Sequence, residues 1–549
     1  MSDKYKWLNK KSKIFLENGY LQKGEDPISR INGLAEAANK FLKKEGYVEK
    51  FLDYVEQGFF LFSSPEWANF GTERGLPIAC FGSYTEDSMS SILDTTAEIG
   101  MMTKMGGGTS AYFGDVRHRG APISTGGLSD GSVSFMKIFD TLVDTCKQSS
   151  VRRGAMACYL PIDHGDIKEF LKIKQEGHPI QHLFTGVSVD NDWMESMIKG
   201  DQEKRETWAS VIKSRSETGL PYILFRGNAN DQAPKVYKDK GLKINASNLC
   251  NEIMLHSSPE ESFVCCLASM NLLHYDKWKD TDAVEVLCYF LDAVLSEFIE
   301  KAKGIKHLER SVRFAENQRA IGLGATGYHS LLQSKMIAFE SLEAQMLNTE
   351  IFKTIHEQSL EASKKAAKEY GEPPLLKGYG ERWTTRMAVA PNTSSAFILG
   401  QVSQSIEPYK SNYYVKDLAK FKATIKNEFL EKLLEEKGLN TKETWDSILR
   451  NNGSVQHLKD LTDEEKGVFR TFAEISQKEI ITQAAQRQKY IDQGQSLNIT
   501  IPPETSAKEI NQLLIYAWES GIKGLYYQHS TNAAQAFYRK LNHCKSCEG

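Results

Sequence analysis

The sequence predicts an α/β fold preceded by a helical region, and three observations predict it. Over residues 1–60, stretches such as 30–42 and 48–58 carry apolar residues at three- and four-residue spacing, the period of a half-buried helix. From about Leu61 the texture changes to short β-like runs at 76–81, 220–225, 386–390, 496–501 and 524–527. Long helical patterns over 282–303 and 341–370 lie between these runs, and strands alternating with helices argue for parallel strand pairs.

Residues 1–60 form a helical N-terminal region and 61–539 a single α/β core. The helix over 341–370 stops near Gly371, Pro373 and Pro374, which cannot continue it. Residues 415–485 are rich in Lys and Glu at helical spacing, show no β-like run, and read as a helical insertion. Residues 540–549 read as a tail. No Gly/Ser/Pro linker divides the chain and no repeat recurs along it.

Composition narrows the function. The 68 basic and 71 acidic side chains leave a net charge of −3, so no bulk electrostatic case exists for a nucleic-acid binder or a polybasic membrane surface. The most apolar stretch, 283–299, is broken by Glu285, Asp292 and Glu297 and reads as an amphipathic helix, not a membrane span. The basic N-terminus has no apolar stretch behind it, so it is not read as a secretory signal, and a cytoplasmic location is expected. Nine cysteines scattered through 549 residues do not resemble a secreted disulfide framework.

Three constellations could carry chemistry. Cys544 and Cys547 stand three apart near the end of the chain. With His543 they could form part of a zinc site, although a full site needs about four ligands. Alternatively they could deliver a dithiol to a distant disulfide by exchange. Asn248, Cys250 and Glu252 alternate along a short stretch read as extended, so all three could face one side. A thiol beside a carboxylate and an amide suits acid–base or nucleophilic work. Gly322, Gly324 and Gly327 fit a dinucleotide-binding glycine pattern, but the preceding 316–320 is polar and helix-like where that motif needs an apolar strand. The glycines are therefore read as permitting close helix packing.

The Asn248–Cys250–Glu252 element, with Cys265 and Asn271 downstream, resembles the active-site loop of ribonucleotide reductase large (catalytic, alpha) subunits. The resemblance continues in family order through Ser63, Ser64 and Pro65; Leu76, Pro77 and Cys80; Asp87 and Ser88; the stretch from Cys146 through Arg152 to Ala155; Pro391 through Ser395; Gln488 through Asn498; and Gly524 through Gln528. It implies a ten-stranded α/β barrel of two five-stranded parallel halves, with a central finger loop carrying Cys250.

The resemblance also implies roles. Cys250 is the thiyl radical that takes the 3′ hydrogen of a ribonucleoside diphosphate, Glu252 accepts the 3′-OH proton, and Asn248 binds the substrate hydroxyls. Cys80 and Cys265 protonate the departing water and supply two electrons, and Cys544 and Cys547 reduce the resulting disulfide. Cys266, Cys146, Cys158 and Cys288 are read as structural. Tyr526 and Tyr527 relay the radical in class I enzymes. Ser64, Thr393, Ser394 and Ser395 contact substrate, the last three at its phosphates, and Arg152 touches its base. Asp87 and Ser88 contact the base or ribose of an allosteric effector, a dNTP or ATP, and Arg117 its phosphates. The second effector arginine common in the family is replaced by a stretch reading Ile123, Ser124, Thr125, Gly126 and Gly127.

The partners implied are a small (beta) subunit that generates the radical at a dimetal site, thioredoxin or glutaredoxin as reductant, and a second copy of this chain in the presence of nucleotide. No metal, nucleic acid or membrane is expected for this chain. Because the core resemblance begins within the first few dozen residues, the N-terminal ATP-binding activity domain of many members is expected to be missing, and with it dATP shut-off through such a domain. The alternative is an adenosylcobalamin-dependent (class II) reductase, a reading that the segment 64–71 favours and that Tyr526 and Tyr527 oppose. A nucleotide-binding regulator on the same fold would have no use for a redox pair.

Overall fold

The computed structural model describes residues 4–78, 80–146, 154–418, 421–502 and 504–530. Arg152, Cys544 and Cys547 lie outside them.

The N-terminal region is helical: α1 (Lys10–Glu17), α2 (Pro27–Leu42) and α3 (Tyr47–Glu56). In α2, the Asp26 carboxylate accepts from the backbone of Ile28 and Ser29, Pro27 sits in the first turn, and Lys43 ends the helix in the left-handed region. Its buried face is Ile31, Leu34, Ala35, Ala38 and Leu42. Arg30 on the same helix is fully buried and donates to the carbonyls of Glu66, Trp67 and Phe70. It thereby fastens α2 to the end of α4 (Ser64–Asn69), the short helix that follows β1 (Phe60–Phe62).

Five parallel strands form the first half of the barrel: β2 (Cys80–Tyr84), β3 (Gly108–Tyr112), β4 (Met156–Pro161), β5 (Phe184–Val189) and β6 (Tyr222–Phe225). The second half runs from β7 (Phe263–Asn271) to β8 (Ile321–Thr326), also parallel. It continues through bridges joining Leu323 to Met387 and Val389 to Gln495. The hairpin-forming pair β9 (Tyr413–Leu418) and β10 (Phe421–Lys426) stands apart, and the half ends in β11 (Ile499–Ile501) parallel to β13 (Gln528–Ser530). The halves meet antiparallel at both seams, β2 with β7 and β6 with β12 (Gly524–Leu525). This is the expected α/β barrel, covered by helices such as Ala283–Ala302 and Leu342–Tyr370.

Two local expectations differ from the structure, and a third holds. Among the described residues the 76–81 run pairs from Cys80, and Pro77 has no N–H to offer the ladder. The 386–390 run is narrow, yet it exchanges hydrogen bonds with Leu323 on one side and with Gly494 and Ser496 on the other. The stretch from 415 opens with the β9–β10 hairpin. Tyr413, Tyr414, Val415, Thr424 and Ile425 are aromatic or β-branched types that favour strands, and the interspersed lysines hid that alternation. The helices that follow, Glu428–Glu436, Lys442–Arg450 and Asp463–Val468, gather a small core of their own around Leu430, Leu434, Trp445 and Phe469.

Candidate active site

The finger loop is built by one amide. Residues 245–257 form no strand; the chain turns at Leu249 to Asn251, with Asn251 at a φ of 62°. Asn248 Oδ1 accepts from the backbone N–H of Glu252 (3.0 Å) and Ile253 (3.1 Å). The three residues therefore converge by a side-chain-capped turn, not by the strand alternation expected from their spacing. Tyr159 Oη lies 2.8 Å from Asn248 O and 3.1 Å from Asn251 Oδ1. Asn251 Nδ2 reaches across the barrel to Ile223 O at 3.1 Å. Gly524 makes room for it, since a Cβ there would stand 2.6 Å from that nitrogen.

Cys250 is half-buried at the tip and Glu252 is buried beside it. Ser496 Oγ donates to Cys250 O at 2.7 Å and lies 3.3 Å from Glu252 Oε2, while Glu252 Oε1 finds no hydrogen-bond partner among the described residues. Burial raises the Glu252 pKa to about 7, with Asn248 and Ser496 opposing the shift. The carboxyl is thus poised near neutrality, as a proton-transfer group must be.

The floor of the site is the β2–β7 seam. Cys80 and Cys265 are directly opposite each other in its register, and both are free thiols. Burial, with the Glu252 charge behind it, pushes the Cys80 thiol well up; burial does the same to Cys265. Each sulfur faces an amide N–H, Asn248 Nδ2 to Cys80 Sγ and Gln493 Nε2 to Cys265 Sγ, both at 3.6 Å. Cys266 points to the other face of β7 and donates to Leu291 O at 3.4 Å. Gly322 lies against the pair: a Cβ there would meet Leu267 Cδ2 at 2.4 Å and Cys265 Sγ at 3.1 Å. The glycines of 322–327 therefore serve close strand packing inside the barrel, not helix packing.

A cleft opens above this floor, and its walls include Ser64, Cys80, Asn248, Cys250, Glu252 and Thr393 to Ser395. The last three begin the helix Thr393–Ile398, entered through Asn392 at a φ of 52°. Cys265 lies behind Cys80 with no exposed surface.

Tyr526 and Tyr527 fall between β12 and β13, where the strand leaves β6 to join β11. Their ring centroids are 4.3 Å apart. Tyr222 on β6 lies 4.7 Å from Tyr526 and 5.2 Å from Tyr527, making a cluster of three. Cys250 packs against the apolar cluster that contains Tyr526. At the far edge of the barrel, Arg117 Nε meets Asp87 Oδ2 at 2.7 Å, and Ser88 caps α5 (Met89–Lys104). Asp87, Ser88 and Arg117 thus come together, and none of them lines the cleft.

The sequence reading assigned no role to Gln493, Ser496, Tyr159 or Tyr222. The first two lie in the segment 488–498 that carries part of the resemblance; Tyr159 and Tyr222 are ordinary strand aromatics by sequence. Among the described residues no group of three or more His, Cys, Asp or Glu is arranged to hold a metal ion, and no helix is long and apolar enough to cross a membrane.

The barrel domain model of ribonucleotide reductase matches residues 78–204, 196–375 and 374–528. The Actinobacillus ureae class Id ribonucleotide reductase alpha subunit superposes with a TM-score of 0.92 at 56% identity, covering 97% of this chain and 99% of that one. A Frog virus 3 (isolate Goorha) protein assigned as a ribonucleoside-diphosphate reductase large subunit is 37% identical over 534 residues, 92% of this chain and 93% of that protein. The ribonucleoside-diphosphate reductase large subunit of Invertebrate iridescent virus 3 is 31% identical over 624 aligned positions, 97% of each.

Proposed function

This chain belongs to the ribonucleotide reductase large subunits, and from that premise we propose how its own residues carry out the reduction of ribonucleoside diphosphates. The observation that carries the reading is that Cys250, Glu252 and Cys80 line one cleft, with Cys265 buried opposite Cys80 in the β2–β7 register.

The Cys250 thiyl takes the hydrogen from C3′, and Glu252 accepts the 3′-OH proton. With a radical at C3′, the 2′-OH leaves as water once a thiol of the pair protonates it. Cys80 and Cys265 together give up two protons and two electrons, an S–S bond forms between them, and Glu252 returns its proton to O3′. Cys250 then returns its hydrogen to C3′. In net terms a 2′-OH and two thiols become a 2′-H, one water and one disulfide. Two features of the site fit these steps. Burial holds both thiols protonated, so each retains a hydrogen to give. Burial also places Glu252 where it exchanges protons near pH 7.

The remaining roles follow from the same reading. Asn248 binds the substrate hydroxyls, Ser64 and Thr393 to Ser395 the substrate with its phosphates, and Arg152 the base. Tyr527 and Tyr526 pass the radical inward from a separate beta subunit that generates it at a dimetal site, and their 4.3 Å ring separation suits that transfer. Cys544 and Cys547 reduce the spent disulfide and are themselves reduced by thioredoxin or glutaredoxin. Asp87, Ser88 and Arg117 bind a dNTP or ATP effector at a homodimer interface. The class I alpha subunit among the relatives favours this partner over the cobalamin alternative.

A single turnover tests the chemistry. Reduced enzyme carrying Cys544→Ser and Cys547→Ser, with small subunit and CDP but no external reductant, should form dCDP in step with a Cys80–Cys265 disulfide mapped by peptide mass spectrometry. Product without that disulfide would contradict the assignment of the pair.

A further inference from the structure

The segment 492–498 passes through the middle of the site, yet the mechanism above uses none of its side chains. Asp492 accepts from the backbone of Arg386 and Met387. Gly494 N donates to Glu252 O at 2.8 Å, and Ser496 touches Cys250 and Glu252. Leu497 O accepts from Tyr526 N, and Asn498 Oδ1 from Tyr527 N. One short stretch thus holds the finger loop, the thiols and the tyrosines in register.

Gln493 is the member of it that meets the redox pair. Its carboxamide is fully buried. Oε1 accepts from Met254 N at 3.1 Å, which fixes which end is the amine. Nε2 lies 2.8 Å from Thr385 Oγ1, 3.1 Å from Ile321 O and 3.6 Å from Cys265 Sγ. Asn248 is its counterpart across the seam, with Oδ1 on the backbone of Glu252 and Ile253 and Nδ2 facing Cys80 Sγ. Each sulfur therefore faces an N–H from an amide whose carbonyl is anchored on the finger loop.

We propose that Gln493 is a positioning residue that stabilises the reduced state of the Cys80–Cys265 pair and ties Cys265 to the finger loop. The inference rests on the assignment of that pair as the reductant. Forming an S–S bond of about 2.05 Å draws both sulfurs toward each other and away from their amides. A disulfide sulfur is also a poorer acceptor than a thiol. Oxidation then costs the pair these N–H contacts in a dry site where no water replaces them, while Gln493 Nε2 keeps Thr385 Oγ1 and Ile321 O as acceptors. Gln493 accordingly biases the pair toward its dithiol form between turnovers.

The test is the redox equilibrium of the full chain, without small subunit or substrate. The protein is equilibrated in mixtures of reduced and oxidised dithiothreitol. In that exchange the two thiols lose two protons and two electrons, an S–S bond forms, and the reagent's ring disulfide takes them up and opens to its dithiol. Cys80 and Cys265 peptides are then quantified by differential alkylation. Gln493→Met, similar in shape but without N–H groups, should shift the equilibrium toward disulfide by about 3- to 10-fold, the size expected for one modest hydrogen bond. Gln493→Glu keeps the Met254 anchor and should shift it the same way, which preserves the comparison if the methionine variant does not fold. A wild-type equilibrium constant in a folded variant overturns the inference, whatever happens to turnover, and leaves the reductase reading intact. No Cys80–Cys265 cross-link in the wild type would overturn the pair assignment and this inference with it.

Discussion

Cys80 and Cys265 stand directly opposite each other across the antiparallel seam that joins the two barrel halves, while Cys266, one residue further, faces Leu291 on the outer side. Neighbouring residues of a strand point to opposite faces, so the two adjacent cysteines are not interchangeable. Cys265→Ala should abolish multiple-turnover reduction of CDP. Cys266→Ala should retain most of it and lose only packing, about 1 kcal/mol in a urea melt. Equal loss of turnover in both variants would contradict the pairing.

Glu252 sets the acid side of the pH profile. Burial raises its pKa to about 7, so the ionised base becomes available as pH rises through that value. The kcat/KM for CDP should therefore climb with pH up to about 7 and then level. Glu252→Gln should lower kcat by roughly 10²- to 10⁴-fold and remove that limb. The linkage to stability has the opposite sense. An acid whose folded pKa is raised favours the fold below its unfolded value near 4.5, and that contribution is lost as pH rises through 7. The Gln variant should accordingly gain stability relative to wild type at pH 8 and not at pH 4, as read by thermal melts at both.

Tyr526→Phe and Tyr527→Phe keep the rings that pack with Tyr222 and Phe184. Each should leave the melting temperature nearly unchanged and abolish turnover with the small subunit, because a phenylalanine cannot give up a phenolic hydrogen. Retained turnover in either would break the relay assignment.

Gly322→Ala tests the room reserved behind Cys265. The added methyl would meet Leu267 Cδ2 at 2.4 Å and Cys265 Sγ at 3.1 Å. Overpacking of this kind costs about 1–3 kcal/mol. A denaturation midpoint should report that loss, and turnover should fall more than for Gly304→Ala, where nothing stands within 4 Å of the new carbon.

Much of this was legible in the sequence because the chemistry is local. Asn248, Cys250 and Glu252 sit in one short loop, and the helices over 283–302 and 342–370 follow from their own periodicity. What was not legible depends on partners distant in sequence. The convergence of the finger-loop residues comes from a side-chain-capped turn and from Tyr159, 89 residues away from Asn248. Tyr222 meets Tyr526 only because β6 and β12 close the barrel. The β9–β10 hairpin was hidden because lysines at helical spacing outweighed its aromatic and β-branched residues. Gln493 carries no signal of its own; its significance lies in the sulfur it faces, 228 residues away.

The decisive measurement is dCDP formation from CDP with dithiothreitol and an effector nucleotide, comparing addition of a metal-loaded small subunit with addition of adenosylcobalamin. Turnover with the small subunit alone, lost in Cys250→Ser and in Tyr527→Phe, is the expected result. Turnover with adenosylcobalamin and no small subunit, undiminished in Tyr527→Phe, would leave the barrel and its thiols in place and contradict the tyrosine relay and the partner it implies.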